Sequence, residues 1–121
     1  MRRISKKRQR INRAAAPVRD EYRDLFPVCQ IPGCRDEATE LHEIARGVHR
    51  KSALAERCAL LHLCRGHHLS IHYGYTLAQQ YALKLFADPD GFDLVRLNRL
   101  RGRSDDAITI EEIQPYVEEW Q

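Results

Sequence analysis

Apolar and polar positions along this chain alternate with two different periods, and the change of period marks its elements. From Pro17 to Phe26, PVRDEYRDLF puts Val18, Tyr22, Leu25 and Phe26 at i, i+4, i+7 and i+8. That spacing predicts one helical face, with Pro17 in a favoured first-turn position and Pro27 as the stop. Thr39-Glu40-Leu41-His42-Glu43-Ile44 then alternates, which predicts a short strand with Leu41 on one side and His42 on the other. Gly47 opens a loop, GVHRKSALAER, and Cys58-Ala59-Leu60-Leu61-His62-Leu63 reads as a second strand. The helix that begins near Cys64 carries Leu69, Ile71 and His72. Strand, long loop, strand and helix are the order of a ββα unit.

Helical spacing returns after Gly74. Thr76 is placed to cap LAQQYALKLF, whose stripe is Leu77, Tyr81 and Leu85 with Ala82 and Phe86 beside it. Asp88-Pro89-Asp90-Gly91 is a turn signal, and FDLVRLNRLRGR sets Phe92, Val95, Leu97 and Leu100 among arginines as an amphipathic helix. Thr109 and Glu112 have the spacing of a capping box for a last helix, with Ile113, Tyr116, Val117 and Trp120 on its apolar side. The pattern predicts an α+β fold with a small ββα core and flanking helices at both ends. No internal repeat is present.

Length and charge refine this picture. A chain of 121 residues with 43% apolar positions suits one domain. The first thirteen residues, MRRISKKRQRINR, hold seven of the 20 Lys+Arg and no acid, so the rest carries 13 basic against 17 acidic residues, a net of −4. Residues 1–16 therefore read as a basic arm, disordered or helical only on binding, followed by a core over 17–74 and a helical extension over 75–121. A cationic arm on a mildly acidic body suits a polyanion, most commonly nucleic acid, with Arg2, Arg3, Lys6, Lys7, Arg8, Arg10 and Arg13 as its contacts. The bland alternative is a solvated arm that aids solubility. No apolar run approaches the ~20 residues needed to cross a bilayer, and no apolar segment follows the basic start. The expected location is the cytoplasm, where a cysteine set more often binds metal than forms disulfides.

Three of the four cysteines fall in a spacing that suggests a metal. Cys29 and Cys34 flank Gln-Ile-Pro-Gly, a turn former because Pro32 fixes φ and Gly33 tolerates positive φ. Thirty residues on, Cys64 and His67 supply a second pair, and together the four make the ligand set of a structural Zn²⁺ site. Buried or disulfide-bonded cysteines are the competing reading, and the histidine in register weighs against it. Cys58 reads as a buried apolar thiol. A second group remains once the zinc is closed: His68 and His72 share a helical face, and His42 stands on the first strand. Clusters of such ligands mark metal or catalytic sites, so His42, His68 and His72 are candidates for an open divalent site.

CQIPGC, ELHEI and LLHLCRGHH together resemble the HNH endonucleases, the ββα-metal or His-Me finger superfamily. The similarity spans about residues 17–74 and is nearest to the phage-type, RecA-dependent nuclease-like variant with HEI in place of Asp-His. It implies a DNA phosphodiester hydrolase, phage or prophage derived, that clamps Mg²⁺, Mn²⁺ or Zn²⁺ against the scissile phosphate. By position, His42 and His68 fall on the metal ligands and Glu43 on the general base. Another register makes His42 the base and leaves Glu40 or Glu43 to the metal. Arg46 and Arg50, behind the first strand, would meet the phosphate. The family's middle Asn is replaced by Ala59. A non-catalytic zinc-containing nucleic-acid-binding module is the alternative function, and a nuclease fold turned protein adaptor is a third. DNA is the implied partner and no membrane is; protein partners are unspecified, and a monomer or a dimer is compatible.

Overall fold

The computed structural model describes residues 6–44, 56–103 and 106–121, without the side chains of Arg8, Ile11 and Asn12. It is a mixed helix and strand fold. Helix α1 spans Lys6–Leu25, so the basic segment expected to be a disordered arm is helical from Lys6 on. Pro17 lies inside this helix rather than in its first turn. Its missing N–H gives up one backbone bond, which the helix-favouring Ala14, Ala15 and Ala16 before it help to offset. Ala15 and Tyr22 are each 1% exposed, and Arg19 bonds Glu43 on the first strand at 3.0 Å, so α1 is fixed from Ala15 to Tyr22. Arg2 and Arg3 lie outside the described residues, as do Arg46 and Arg50.

Strands β1, Glu40–Glu43, and β2, Leu60–Leu63, pair antiparallel, with Glu40 opposite Leu63 and His42 opposite Leu61. β2 is shorter than the apolar run predicted, because Arg57–Ala59 winds a 3-10 turn whose Ala59 N–H donates to Glu56 O at 3.0 Å. The ladder is extended by Ile44 N–H donating to Ala59 O at 2.8 Å. All four β2 residues are buried. A two-stranded ribbon cannot do that alone; α1 covers this strand, and the core helices enclose the rest. Helix α2, Arg65–Gly74, leaves β2 through Cys64 at its N-cap.

The three remaining helices follow their caps. Thr76 makes the expected cap of α3, Leu77–Ala87, completed as a capping box by Gln79. Asp88 accepts from Gly91 N–H at 3.1 Å over the 3-10 turn Pro89–Gly91, and Asp93 caps α4, Leu94–Leu100. The Thr109 and Glu112 capping box starts α5, Ile110–Trp120, as the sequence predicts. α5 packs on α3, with the Phe86 and Trp120 rings 5.9 Å apart. Buried Asn98 clamps the chain before α5, donating to Ile108 O and accepting from Ile108 N–H, both at 3.0 Å. One cluster joins Cys29, Leu61, Leu63 and Ile71 to Tyr81, Leu83, Leu97, Ile113 and Val117. The C-terminal helices are therefore part of the core. No described helix is long and apolar enough to cross a membrane.

A polar knot ties these layers. Lys84 is fully buried, and its Nζ donates to Leu60 O at 2.8 Å, Asp88 Oδ2 at 2.8 Å and Tyr22 Oη at 3.0 Å. Arg57 Nη2 donates to the other Asp88 oxygen at 2.7 Å. Tyr22 Oη in turn donates to Gln30 Oε1 at 2.8 Å, which also accepts the His62 N–H at 2.7 Å. Burial pulls the Lys84 ammonium down to about 8 against the opposing pull of Asp88. Burial pushes the Asp88 carboxyl up, but its bonds to Arg57 and Lys84 outweigh that and hold it below the usual range. Burial also pushes the Tyr22 phenol well up. The knot links α1, the chain into the first cysteine pair, β2 and α3.

Candidate metal centre and histidine pair

The first cysteine pair is presented by a turn that its sequence dictates. Cys34 N–H donates to Ile31 O at 3.0 Å, and Gly33 has φ 83, the geometry of a type II turn with Pro32 and Gly33 in its central positions. An isolated bridge between Val28 and Glu37 and the bond from Cys29 N–H to Asp36 O at 2.9 Å close the loop behind it. The second pair comes from the start of α2, with Cys64 at the N-cap and His67 three residues on.

The ligand atoms of Cys29, Cys34, Cys64 and His67 all lie within 4.8 Å of one another. His67 Nδ1 is 3.3 Å from Cys64 Sγ and 3.6 Å from Cys29 Sγ. Zn–S bonds of about 2.3 Å put tetrahedral sulfurs about 3.8 Å apart, so the set fits Zn²⁺ with little movement. The donor chemistry, three sulfurs and one imidazole, is that of a closed site. All four cysteines of the chain are free, which disposes of the disulfide reading. Burial raises the Cys29 thiol to about 11 in the metal-free fold, so metal uptake there must displace its proton. Cys58 stands apart from this set, buried, with its thiol pushed up to about 11 by burial.

The histidines of the second group do not form such a closed set: among the described residues, no other group of three or more His, Cys, Asp or Glu side chains converges in this way. Two of them do meet. The His42 and His68 rings stand edge to face, with centroids 5.2 Å apart, one from β1 and one from the second turn of α2. Each is held from behind. His68 Nδ1 bonds Glu40 Oε1 at 2.9 Å, and His42 Nε2 bonds Gln80 Oε1 at 2.7 Å. His42 is 1% exposed, while His72 is exposed and packs against Tyr73. His68 and His72 line one open hollow with Glu40, Leu69 and Tyr73.

Glu43 takes the other side of β1 from His42, as strand alternation requires, and its Oε1 accepts from Arg19 at 3.0 Å. It is therefore not brought to the histidine pair. Ala59 is fully buried and contributes backbone bonds only. Lys6, Lys7, Arg10 and Arg13 are exposed on α1, and Lys6, Arg10 and Arg13 border a second hollow with Gln9.

Two polar residues at the centre carry no signal at the level of pattern. Gln80 sits in a helix whose spacing marks only its apolar stripe, and His62 is a single polar position in an apolar run. His62 is buried, and its Nδ1 bonds Phe26 O at 2.6 Å, pinning the end of α1 to β2. An amide four residues after a capping threonine looks like any surface position until the fold turns it inward. No protein-family model matches the chain, and no curated protein or solved structure does either.

Proposed function

We propose that this protein is a metal-dependent phosphodiesterase acting on DNA, an HNH-like endonuclease whose ββα-metal core is stapled by Zn²⁺ at Cys29, Cys34, Cys64 and His67. The observation that carries the reading is the edge-to-face meeting of His42 and His68 across β1 and α2, with Glu40 bonded to His68. A carboxylate behind a histidine is the usual support of a metal ligand. His42 and His68, with His72 at the mouth of the hollow, would hold Mg²⁺, Mn²⁺ or Zn²⁺. Such an ion polarises the phosphoryl oxygen, stabilises the leaving oxygen and acidifies water. The arrangement supports Glu40 rather than Glu43 as the carboxylate of the site, because Glu43 faces Arg19. The exposed cations of α1 would run along the phosphate backbone, and a cytoplasmic setting would keep the thiols reduced.

The second reading, a zinc-containing module that binds nucleic acid without cutting it, is favoured by the depth of His42 and by Ala59, which has no polar side chain to offer a loop. Metal analysis beside a plasmid-nicking assay in Mg²⁺, Mn²⁺ and EDTA separates the two. Nicking by the wild type, lost in a folded and zinc-loaded His68→Ala, is the expected result. One tightly held zinc with DNA binding and no nicking in any ion would select the binding module.

A further inference from the structure

We propose that the outer face of α2 seats a single DNA strand, with an unpaired base stacked on Tyr73 and a phosphate on Arg65. This rests on the reading of the protein as one that engages DNA, and it names the form of DNA that reaches the hollow. Arg65, His68, Leu69, His72 and Tyr73 fall at i, i+3, i+4, i+7 and i+8, one face of a helix that turns Ile71 into the core. Tyr73 is 82% exposed and Leu69 52%, so the fold gains little from either. Both line the hollow with Glu40, His68 and His72. It measures about 570 Å³ with its open mouth, within the roughly 300–1,000 Å³ of small-ligand sites. That is room for one base and its sugar, not for a duplex.

Charge favours a polyanion on this face over an apolar partner. Between Glu56 and Asp88 the chain has no acid, and all 17 Asp+Glu lie outside that stretch. Arg65 is exposed and makes no ion pair among the described residues. Glu40, the one acid among the residues lining the hollow, is bonded to His68 at 2.9 Å. The ring of Tyr73 selects an unpaired base. A paired base is stacked above and below and shows only its edge, whereas a single strand offers π-faces that an aromatic side chain takes whatever the sequence. His72 meets the Tyr73 ring edge to face with centroids 4.8 Å apart, which steadies the tyrosine without covering it.

The test is fluorescence anisotropy of a labelled oligothymidylate strand, and of a duplex of equal length, titrated with the zinc-loaded full chain in Ca²⁺, with circular dichroism as the folding control. Tyr73→Ala should weaken single-strand binding about 5–150-fold, the range of one stacked base, while leaving duplex affinity and the fold unchanged. Tyr73→Phe, which keeps the ring, should bind the strand as the wild type does. Arg65→Gln should shrink the single-strand salt slope by about 0.7, the share of one phosphate. Wild-type strand affinity in Tyr73→Ala, an equal loss on the duplex, or a Tyr73→Phe as weak as Tyr73→Ala would overturn the stacking and leave the nuclease reading in place. An unchanged slope in Arg65→Gln would overturn the phosphate contact. A wild-type dimer that Tyr73→Ala dissociates in sedimentation would give the face to a second copy of the chain and overturn the proposal. Wild-type protein that binds neither strand nor duplex would overturn the proposal together with both nucleic-acid readings.

Discussion

Lys84 shows how much a single side chain can be asked to do in a small core. Its ammonium meets Leu60 O, Tyr22 Oη and Asp88 where no water reaches it. Removing one partner of a buried pair leaves the other charge stranded, a cost of about 3–5 kcal/mol. Arg57 still neutralises Asp88, so Lys84→Met should lose about 3 kcal/mol, the low end of that range, read by urea unfolding of the zinc-loaded protein. The dependence on pH has a definite sign. The folded value is about 8 against an ordinary 10.5, so between these the unfolded chain holds a proton that the folded chain has released. Wild-type stability relative to Lys84→Met should therefore rise from pH 8 towards pH 10, by up to about 3 kcal/mol at 1.36 kcal/mol per unit. A flat difference across that window would show that Lys84 keeps its ordinary value in the fold. The candidate metal ligands set a larger scale. A structural zinc contributes about 10–16 kcal/mol, as much as the whole stability of a typical domain. Cys64→Ser should thus unfold the centre of the protein and lose the metal, whereas Cys58→Ser should be nearly silent in melting and zinc content; native melting by Cys64→Ser would remove Cys64 from the site.

Among the elements, α1 departs furthest from its expected form. Apolar spacing places its start at Pro17, because a proline in the first turn is common and a basic run before it has no apolar stripe of its own. The helix instead runs back to Lys6, carried by alanines of high propensity and anchored by Tyr22 and Arg19. That anchoring is tertiary, and no local spacing reports it. The caps at Thr76 and Thr109, by contrast, are legible because a capping box is written in residues three apart. The turn at Pro32 and Gly33 is legible for the same local reason, and so is the cysteine set it serves. The positions facing into the site from afar, Gln80 above all, are not. A basic helix from Lys6 on gives a prediction on binding. Removing residues 1–13 deletes seven positive charges, so affinity for duplex DNA should fall, and the slope of log K against log salt should shrink by about 0.9 for each phosphate that the segment neutralises. Equal slopes with and without the segment would reduce it to a solvated stretch.

At the scale of the molecule, the part that carries the cysteine and histidine cluster and the C-terminal helices are a single structure. The sequence pattern suggests a core over residues 17–74 with an extension packed upon it, yet Leu61, Leu63 and Ile71 share their cluster with Tyr81, Leu83, Leu97, Ile113 and Val117. The dependence is polar as well as apolar. Without α3, Leu60 O loses the Lys84 ammonium, Arg57 loses Asp88 and His42 loses Gln80. A two-stranded ribbon with one helix on each side is too small to bury its own apolar surface, and zinc would have to hold nearly all of it. A chain ending at Gly74 should therefore fail to reach the native fold even when loaded with zinc. The measurement is amide NMR and circular dichroism of the shortened and full-length chains at equal zinc stoichiometry. The shortened chain should show collapsed amide dispersion and no cooperative melt, while its cysteines still bind the metal as unfolded zinc peptides do. Native dispersion over residues 17–74 in the shortened chain would make that segment an independent unit and reduce the last three helices to an appendage.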